Sequence, residues 1–496
     1  MPAALRSLAV VALLLAAGCG RPPSHDLNVL WTSDILSLDP NEKFESRTDI
    51  YSMNVFEPLV RVGKQASIVP VLADRWDLSG GKTWRFSLRP NATFQDGSPL
   101  DADDVVFTLE RLRSRKESDL YPYFESVSSV KKIDPLTVEI SSDRPATILL
   151  GLSSVYILPR RLLEAQGEKA FFAKPVGSGP YRFVEWKPGE RLVLERWDGY
   201  PGAKGGVARA TFHHMKTSAQ MWSQAKPLSP FILLSPARKT WAEKKGDPDF
   251  RLVSRLGMTV QYLVCRTTGG DASPLSKKEV RHAVRAAIDV QRLIDVLGGQ
   301  AFPASQLVTP DIVGFDPSIQ IPVFRKGQAK ELLAKAGYPS GVTLTLVSEE
   351  GGADFYVELI RQLAVAGIQV KHESLPTPEM YRRLQHCEAD LVDSGWICAT
   401  GDASELLEGN FYGRKGASLT ACGYSSKELD ERIEKIARTT DPRSRRDLLQ
   451  QAMRVLDEDL PYIPLLSSYD LYATSPDVSF EPRPDGELAL ADVKVK

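Results

Sequence analysis

The run Gly395-Trp396-Ile397-Cys398-Ala399-Thr400-Gly401-Asp402 follows directly on the strand-like stretch Ala389–Val392. It sets an indole and a carboxylate a few residues apart at a strand mouth. An aromatic ring there supplies apolar area and a face for stacking. An aspartate at the end of a buried strand holds a cation strongly, because a low dielectric amplifies the pair. The chemistry on offer is non-covalent recognition of an organic solute, with Gly395 and Trp396 in the wall. Asp402 is read either as a ligand carboxylate or as a loop or helix-cap residue.

Catalytic constellations are not found. The sequence has no Gly-x-Ser-x-Gly elbow, no His-Glu-x-x-His and no P-loop. Asp103-Asp104 reads as the start of a surface helix. His213-His214 are adjacent, so in a strand they point to opposite faces and do not chelate one metal together. No catalytic residue, metal or cofactor is expected. Besides Cys19 there are four cysteines, Cys265, Cys387, Cys398 and Cys422, which allow three full pairings. Cys398 with Cys422, both in one loop-rich segment, is the first pairing expected; buried free thiols are the alternative.

These residues sit in a chain of 496 residues, long enough for roughly three units. A net charge of −1 supplies no basic excess for nucleic acid. No apolar run reaches the roughly 20 residues of a membrane span. At the N-terminus Arg6 precedes the apolar run Leu8–Ala17 and then Gly18-Cys19, the pattern of a secretory signal over residues 1–18. Ala16-Ala17-Gly18-Cys19 resembles the bacterial lipobox, which implies cleavage before Cys19 and its diacylation, with residues 19–26 as a tether. Plain secretion is the other reading.

The positioning elements are legible in order. Gly177–Tyr200 reads as a β-hairpin: alternating residues from Tyr181 and again from Arg191 flank the turn Lys187-Pro188-Gly189-Glu190. Gly177 and Gly179 allow close backbone approach. Asp101 is a helix cap ahead of the stripe Val105, Val106, Leu109 and Leu112. From Gly257 the chain turns α/β. Ser276 and Glu279 form a capping box for a helix running to Gly298-Gly299, and Ser425 with Glu428 cap a later one. Asp441-Pro442 starts the last helix. The strand–helix alternation over 342–392 implies a parallel-rich unit with ligand access at strand ends.

Several of these stretches carry a resemblance. Gly177-Ser178-Gly179-Pro180-Tyr181 with Trp186 and Gly189, Phe94-Gln95-Asp96-Gly97-Ser98-Pro99-Leu100, Val280-Arg281-His282-Ala283 and Leu460-Pro461-Tyr462-Ile463-Pro464 together resemble the family 5 extracellular solute-binding proteins, the peptide-binding class of ABC importers. The departures are Trp197-Asp198 where an asparagine is usual, and a weakened match over Thr211–Asp249. The resemblance implies an α/β fold of the type II periplasmic-binding-protein kind: two main lobes with a hinge, plus an extra small lobe. Lobe I is expected as 27–60, 174–258 and 466–496, lobe II as 61–173 and lobe III as 259–465, with crossings near Gly257 and Leu465 as the hinge.

Function follows as expectation. The resemblance implies a monomeric, extracytoplasmic lipoprotein, at the cell surface or in the periplasm. It captures a small solute or oligopeptide between lobes and delivers it to ABC importer permease subunits. A non-peptide ligand, an envelope receptor or sensor, and an envelope hydrolase are the alternatives. In peptide-binding members an aromatic near Tyr121 faces the ligand, which makes Tyr121 a candidate beside its reading as core. In those members an aspartate three residues after the Gly-Trp holds the peptide's α-ammonium. Here Ala399 stands at that place, so the clamp is absent or moved to Asp402.

Overall fold

The computed structural model describes residues 26–42, 46–62, 68–143, 148–202, 205–270, 273–398, 400–413, 422–439, 441–483 and 485–496. Cys19 and Ala399 lie outside the described residues.

Two long antiparallel strands, Arg251–Cys265 and Tyr462–Thr474, form the spine. On one side of them the main sheet continues through Leu391–Ile397, Val342–Glu349 and Ile368–Leu375; on the other it runs through Phe231–Leu234, Asp26–Trp31, Arg209–His214, Arg191–Arg196 and Tyr181–Lys187. The two spine strands therefore carry the chain between two hydrophobic bodies. Their pairing slips between Leu256 and Val260, the neighbourhood of Gly257, where a bulge bends the ladder.

One body is cored by Val260, Tyr262, Leu406, Phe411, Leu449 and Tyr462, continuing into Val280, Val284, Leu344 and Leu359. The other is built on Val29, Tyr51, Phe56, Leu192, Phe212 and Ile232. A third core belongs to a separate four-stranded antiparallel sheet, Ala73–Ser79, Thr83–Leu88, Thr137–Ser142 and Val127–Asp134. Helix Ala102–Ser114 covers that sheet with Val105, Leu109 and Leu112 buried. Asp101 caps it, accepting from Asp103 N, while the Asp104 carboxylate accepts from Asp101 N.

The hairpin forms as its sequence dictates: Tyr181–Lys187 pairs with Arg191–Arg196 and Gly189 takes φ 73° in the turn. Gly177 shows why its approach is glycine-rich. A Cβ there would sit 1.9 Å from Val55 O. The Gln95 side chain closes the same junction, its amide donating to Gly179 O at 2.9 Å and Tyr181 O at 2.7 Å.

Two expected helix starts shift. Ser276 ends a 3-10 turn and donates to Gly270 O, so no capping box forms and the helix begins at Lys278. That helix also stops at Ala286. Asp289 caps a second one, Val290–Val296, by accepting from Arg292 N. Ser426 rather than Ser425 caps Lys427–Arg438, because its hydroxyl is the one that reaches Leu429 N. Asp441 caps Pro442–Asp459, accepting from Ser444 N.

Candidate functional site

Strand Leu391–Ile397 ends in the wall of a cavity. Over Leu391 and Val392 it is paired on both edges, by Leu346 and Val347 on one side and by strand 251–265 on the other. From Asp393 to Ile397 only strand 251–265 pairs with it among the described residues. Gly395, Trp396 and Ile397 thus present a backbone edge to open space.

The cavity holds about 250 Å³. Its walls come from helix Ser46–Val55 (Asp49, Met53), from Arg61 and Val62, from Tyr123, from Ser153, Ser154 and Tyr156, from Gly395 to Ile397 with Glu405, and from Arg483, Asp485 and Glu487. All three hydrophobic bodies contribute. Charge is unevenly spread, with the four carboxylates Asp49, Glu405, Asp485 and Glu487 against the two guanidiniums Arg61 and Arg483. Arg483 is engaged by Asp485, its Nη2 donating to Oδ2 at 2.6 Å.

Glu405 stands out chemically. It lies in the short helix Ser404–Asn410 and is 7% exposed. Its Oε2 accepts from Thr400 N at 2.9 Å and its Oε1 from the Tyr123 hydroxyl at 3.3 Å. No basic side chain pairs with it among the described residues. Burial therefore pushes its carboxyl up to about 7, with the Asp402 charge adding to the rise. Glu487 is raised for the same reason and by the carboxylates of Asp49 and Asp485.

A second cavity of about 400 Å³ meets the first at Gly395. Gln261, Glu349, Glu350, Tyr356, Tyr381 and Asp393 are among its lining residues. Asp393 accepts from the Tyr356 hydroxyl and from Gln261 Nε2, and burial lifts it to about 6. Neither residue set carries a nucleophile–base–orienter arrangement.

Gly395 and Trp396 line the first cavity. Trp396 is partly buried against the core, and its Nε1 is buried with no hydrogen-bond partner among the described residues. Asp402 is different: it is 4% exposed and does not face the cavity. Its oxygens accept from Arg445 Nε at 2.8 Å and Arg445 Nη2 at 3.0 Å, and Oδ1 also accepts from Ser404 N at 2.9 Å. Burial alone would raise its pKa, but the Arg445 charge and these hydrogen bonds hold it below the ordinary value. The Asp402 carboxylate is thus held in a buried ion pair with Arg445.

Tyr121 also stays out of the cavity wall, and Tyr123 lines it instead. Both lie in the single turn Tyr121–Phe124, where residues two apart fall on opposite sides. Cys398 and Cys422 are free thiols. They share one core cluster, yet Cys398 donates to Asp402 O at 3.2 Å and Cys422 to Leu384 O at 3.3 Å, so each is turned to its own carbonyl. His213 bonds Asn28 Oδ1 and His214 bonds Ser33 O, each on its own face of the strand.

Sequence reasoning missed Glu405, Tyr123, Asp49 and the run Arg483–Glu487. Only one signal was available. Asp402 and Glu405 stand three apart, as in a capped helix start, which would have turned Asp402 inward and drawn attention to Glu405.

A family model described as "Bacterial extracellular solute-binding proteins, family 5 Middle" matches residues 67–418. The glutathione-binding protein GsiB of Salmonella paratyphi A is 25% identical over 513 residues, covering 98% of each chain. The peptide transport periplasmic protein SapA of Salmonella typhimurium is 28% identical over 447 residues, covering 83% of this chain and 80% of its own. Among solved structures, HbpA2 from Haemophilus parasuis superposes with a TM-score of 0.85 at 23% identity, over 95% of this chain and all of that one. The fold is that of the type II periplasmic binding proteins.

Proposed function

We propose, on the premise that the chain belongs to the family 5 bacterial extracellular solute-binding proteins, that it captures a peptide-like solute in the cavity at Gly395–Ile397 and hands it to the permease of an ABC importer. The observation that carries this reading is the strand edge Asp393–Ile397, paired on one side only and facing the cavity. An extended backbone adds to such an edge by main-chain hydrogen bonds. The relatives support the same class: SapA is a peptide transport protein and GsiB binds glutathione.

In this reading the ligand's ammonium sits against Glu405, which replaces Asp402 as the anchor. A carboxylate this buried and without a cation is stabilised by one that a ligand brings. Trp396 contributes apolar area beside it. Lobe I (27–60, 174–258, 466–496), lobe II (61–173) and lobe III (259–465) close on the solute about the two spine strands, near the bulge at Gly257 and near Leu465. The monomer is held to the membrane by a diacylated Cys19.

Mass spectrometry of what co-purifies with the protein tests the ligand class. A population of short peptides is the expected result. A single non-peptide compound at stoichiometric occupancy would overturn the peptide reading while leaving the binding protein intact.

A further inference from the structure

Helix Thr377–Gln385 ends at a carbonyl that two cysteines share. Cys387 N donates to Leu384 O at 3.1 Å, and Cys422 Sγ reaches the same oxygen at 3.3 Å. Both are free thiols, close enough that each shifts the other's ionisation. Cys387 packs against the core cluster that contains Cys422 and remains partly exposed, while Cys422 is 2% exposed. Both backbones are left-handed, with φ of 51° at Cys387 and 37° at Cys422. Non-glycine residues seldom take that conformation, and it costs on the order of 1 kcal/mol each. Two such residues meeting at one carbonyl point to a selected arrangement.

We infer that Cys387 and Cys422 are joined by a disulfide in the exported protein, and that this bond fixes the lobe III wall of the ligand cavity. The inference rests on the extracellular setting of the family, where disulfides persist. The segment between the two cysteines holds Gly395, Trp396, Ile397 and Glu405, so the bond closes a covalent loop around the cavity residues. A cross-link of this kind restricts the unfolded chain and pins both ends of the loop.

The chemistry is thiol–disulfide exchange with a disulfide-bearing oxidant, either a small disulfide or an oxidoreductase. Cys387 is the attacking thiol. It is the more exposed, and the neighbouring Cys422 thiol together with the nearby Arg266 guanidinium lowers its pKa. Its thiolate attacks one sulfur of the oxidant, expelling a thiolate and leaving a mixed disulfide. Cys422 then loses its proton and attacks Cys387 Sγ, forming the S–S bond and releasing the second oxidant thiol. Two protein thiols are oxidised and one oxidant disulfide is reduced.

The test uses the full chain, exported and purified without reductant, denatured, alkylated with iodoacetamide and digested. The expected digest contains the Cys387 and Cys422 peptides linked to each other, with Cys265 and Cys398 alkylated. Alkylation of both Cys387 and Cys422, or linkage of either to Cys265 or Cys398, overturns the assignment. Melting with and without dithiothreitol tests the staple. The untreated protein falls by roughly 5 °C or more on reduction. Cys387→Ser starts at the lower value and does not respond. A linked pair whose reduction leaves the melting temperature unchanged overturns the structural role.

Discussion

Replacing Glu405 by Gln changes one charge and almost no shape. The amide keeps an acceptor for Thr400 N and a polar group for the Tyr123 hydroxyl, the two contacts of the native carboxylate. Two effects follow, and they have opposite signs. In the ligand-free protein, burial raises Glu405 from 4.5 to about 7. The folded state therefore binds the proton more tightly than the unfolded chain. The stability this provides is present below about pH 4.5 and is lost as pH rises through about 7. At about 1.4 kcal/mol per pH unit the loss is roughly 3 kcal/mol. Gln does not titrate, so the variant should gain up to that amount over the native protein between pH 4.5 and pH 8. Other groups that titrate in this range, Asp393 among them, are common to both proteins and cancel in the difference. With ligand the sign reverses. A hydrogen bond between an ammonium and a carboxylate is worth about 1.5–3 kcal/mol, so Glu405→Gln should weaken a peptide with a free N-terminus by roughly 10- to 100-fold and leave its N-acetylated copy unchanged. Urea midpoints at the two pH values and calorimetry with both peptide pools measure the effects. A stability difference independent of pH refutes the buried, unpaired carboxylate. Equal affinity loss for both pools refutes Glu405 as the ammonium's partner.

Asp402→Ala strips the Arg445 guanidinium of its buried partner and should cost roughly 3–5 kcal/mol of stability, read as a lower thermal midpoint; the discrimination between free and acetylated peptides should survive, and its loss would return Asp402 to the binding site. Cys19→Ser should move the protein from the membrane to the soluble fraction and remove the acyl mass seen in the intact native protein. A native protein that fractionates as soluble at its unmodified mass would overturn the lipid anchor.

What could be read from sequence was local. The hairpin at Gly177–Tyr200 and the caps at Asp101 and Asp441 depend on turn and cap chemistry within a few residues, and they formed as read. The break after Ala286 was invisible, because Ile288 continues the apolar rhythm and only the Asp289 cap reveals the second helix. The one-residue shift from Ser425 to Ser426 has the same origin: adjacent serines offer equal cap chemistry, and only the backbone decides.

The candidate site was half legible for a different reason. Gly395 and Trp396 belong to a strand end, and strand ends announce themselves. The electrostatics do not, because they are assembled from distant segments. Glu405 meets Tyr123 across 282 residues of sequence, and Arg483 to Glu487 come from a C-terminal stretch with no periodicity to read. The choice between Asp402 and Glu405 was at most hinted at by their spacing, since both are acids beside the same strand. It is made by Arg445, a residue on the last long helix. Where a buried guanidinium neutralises one carboxylate and none reaches the other, the first becomes structure and the second is left to respond to a ligand. The position of a cation on a remote helix thus determines which acid near a strand mouth is left as the candidate for a ligand.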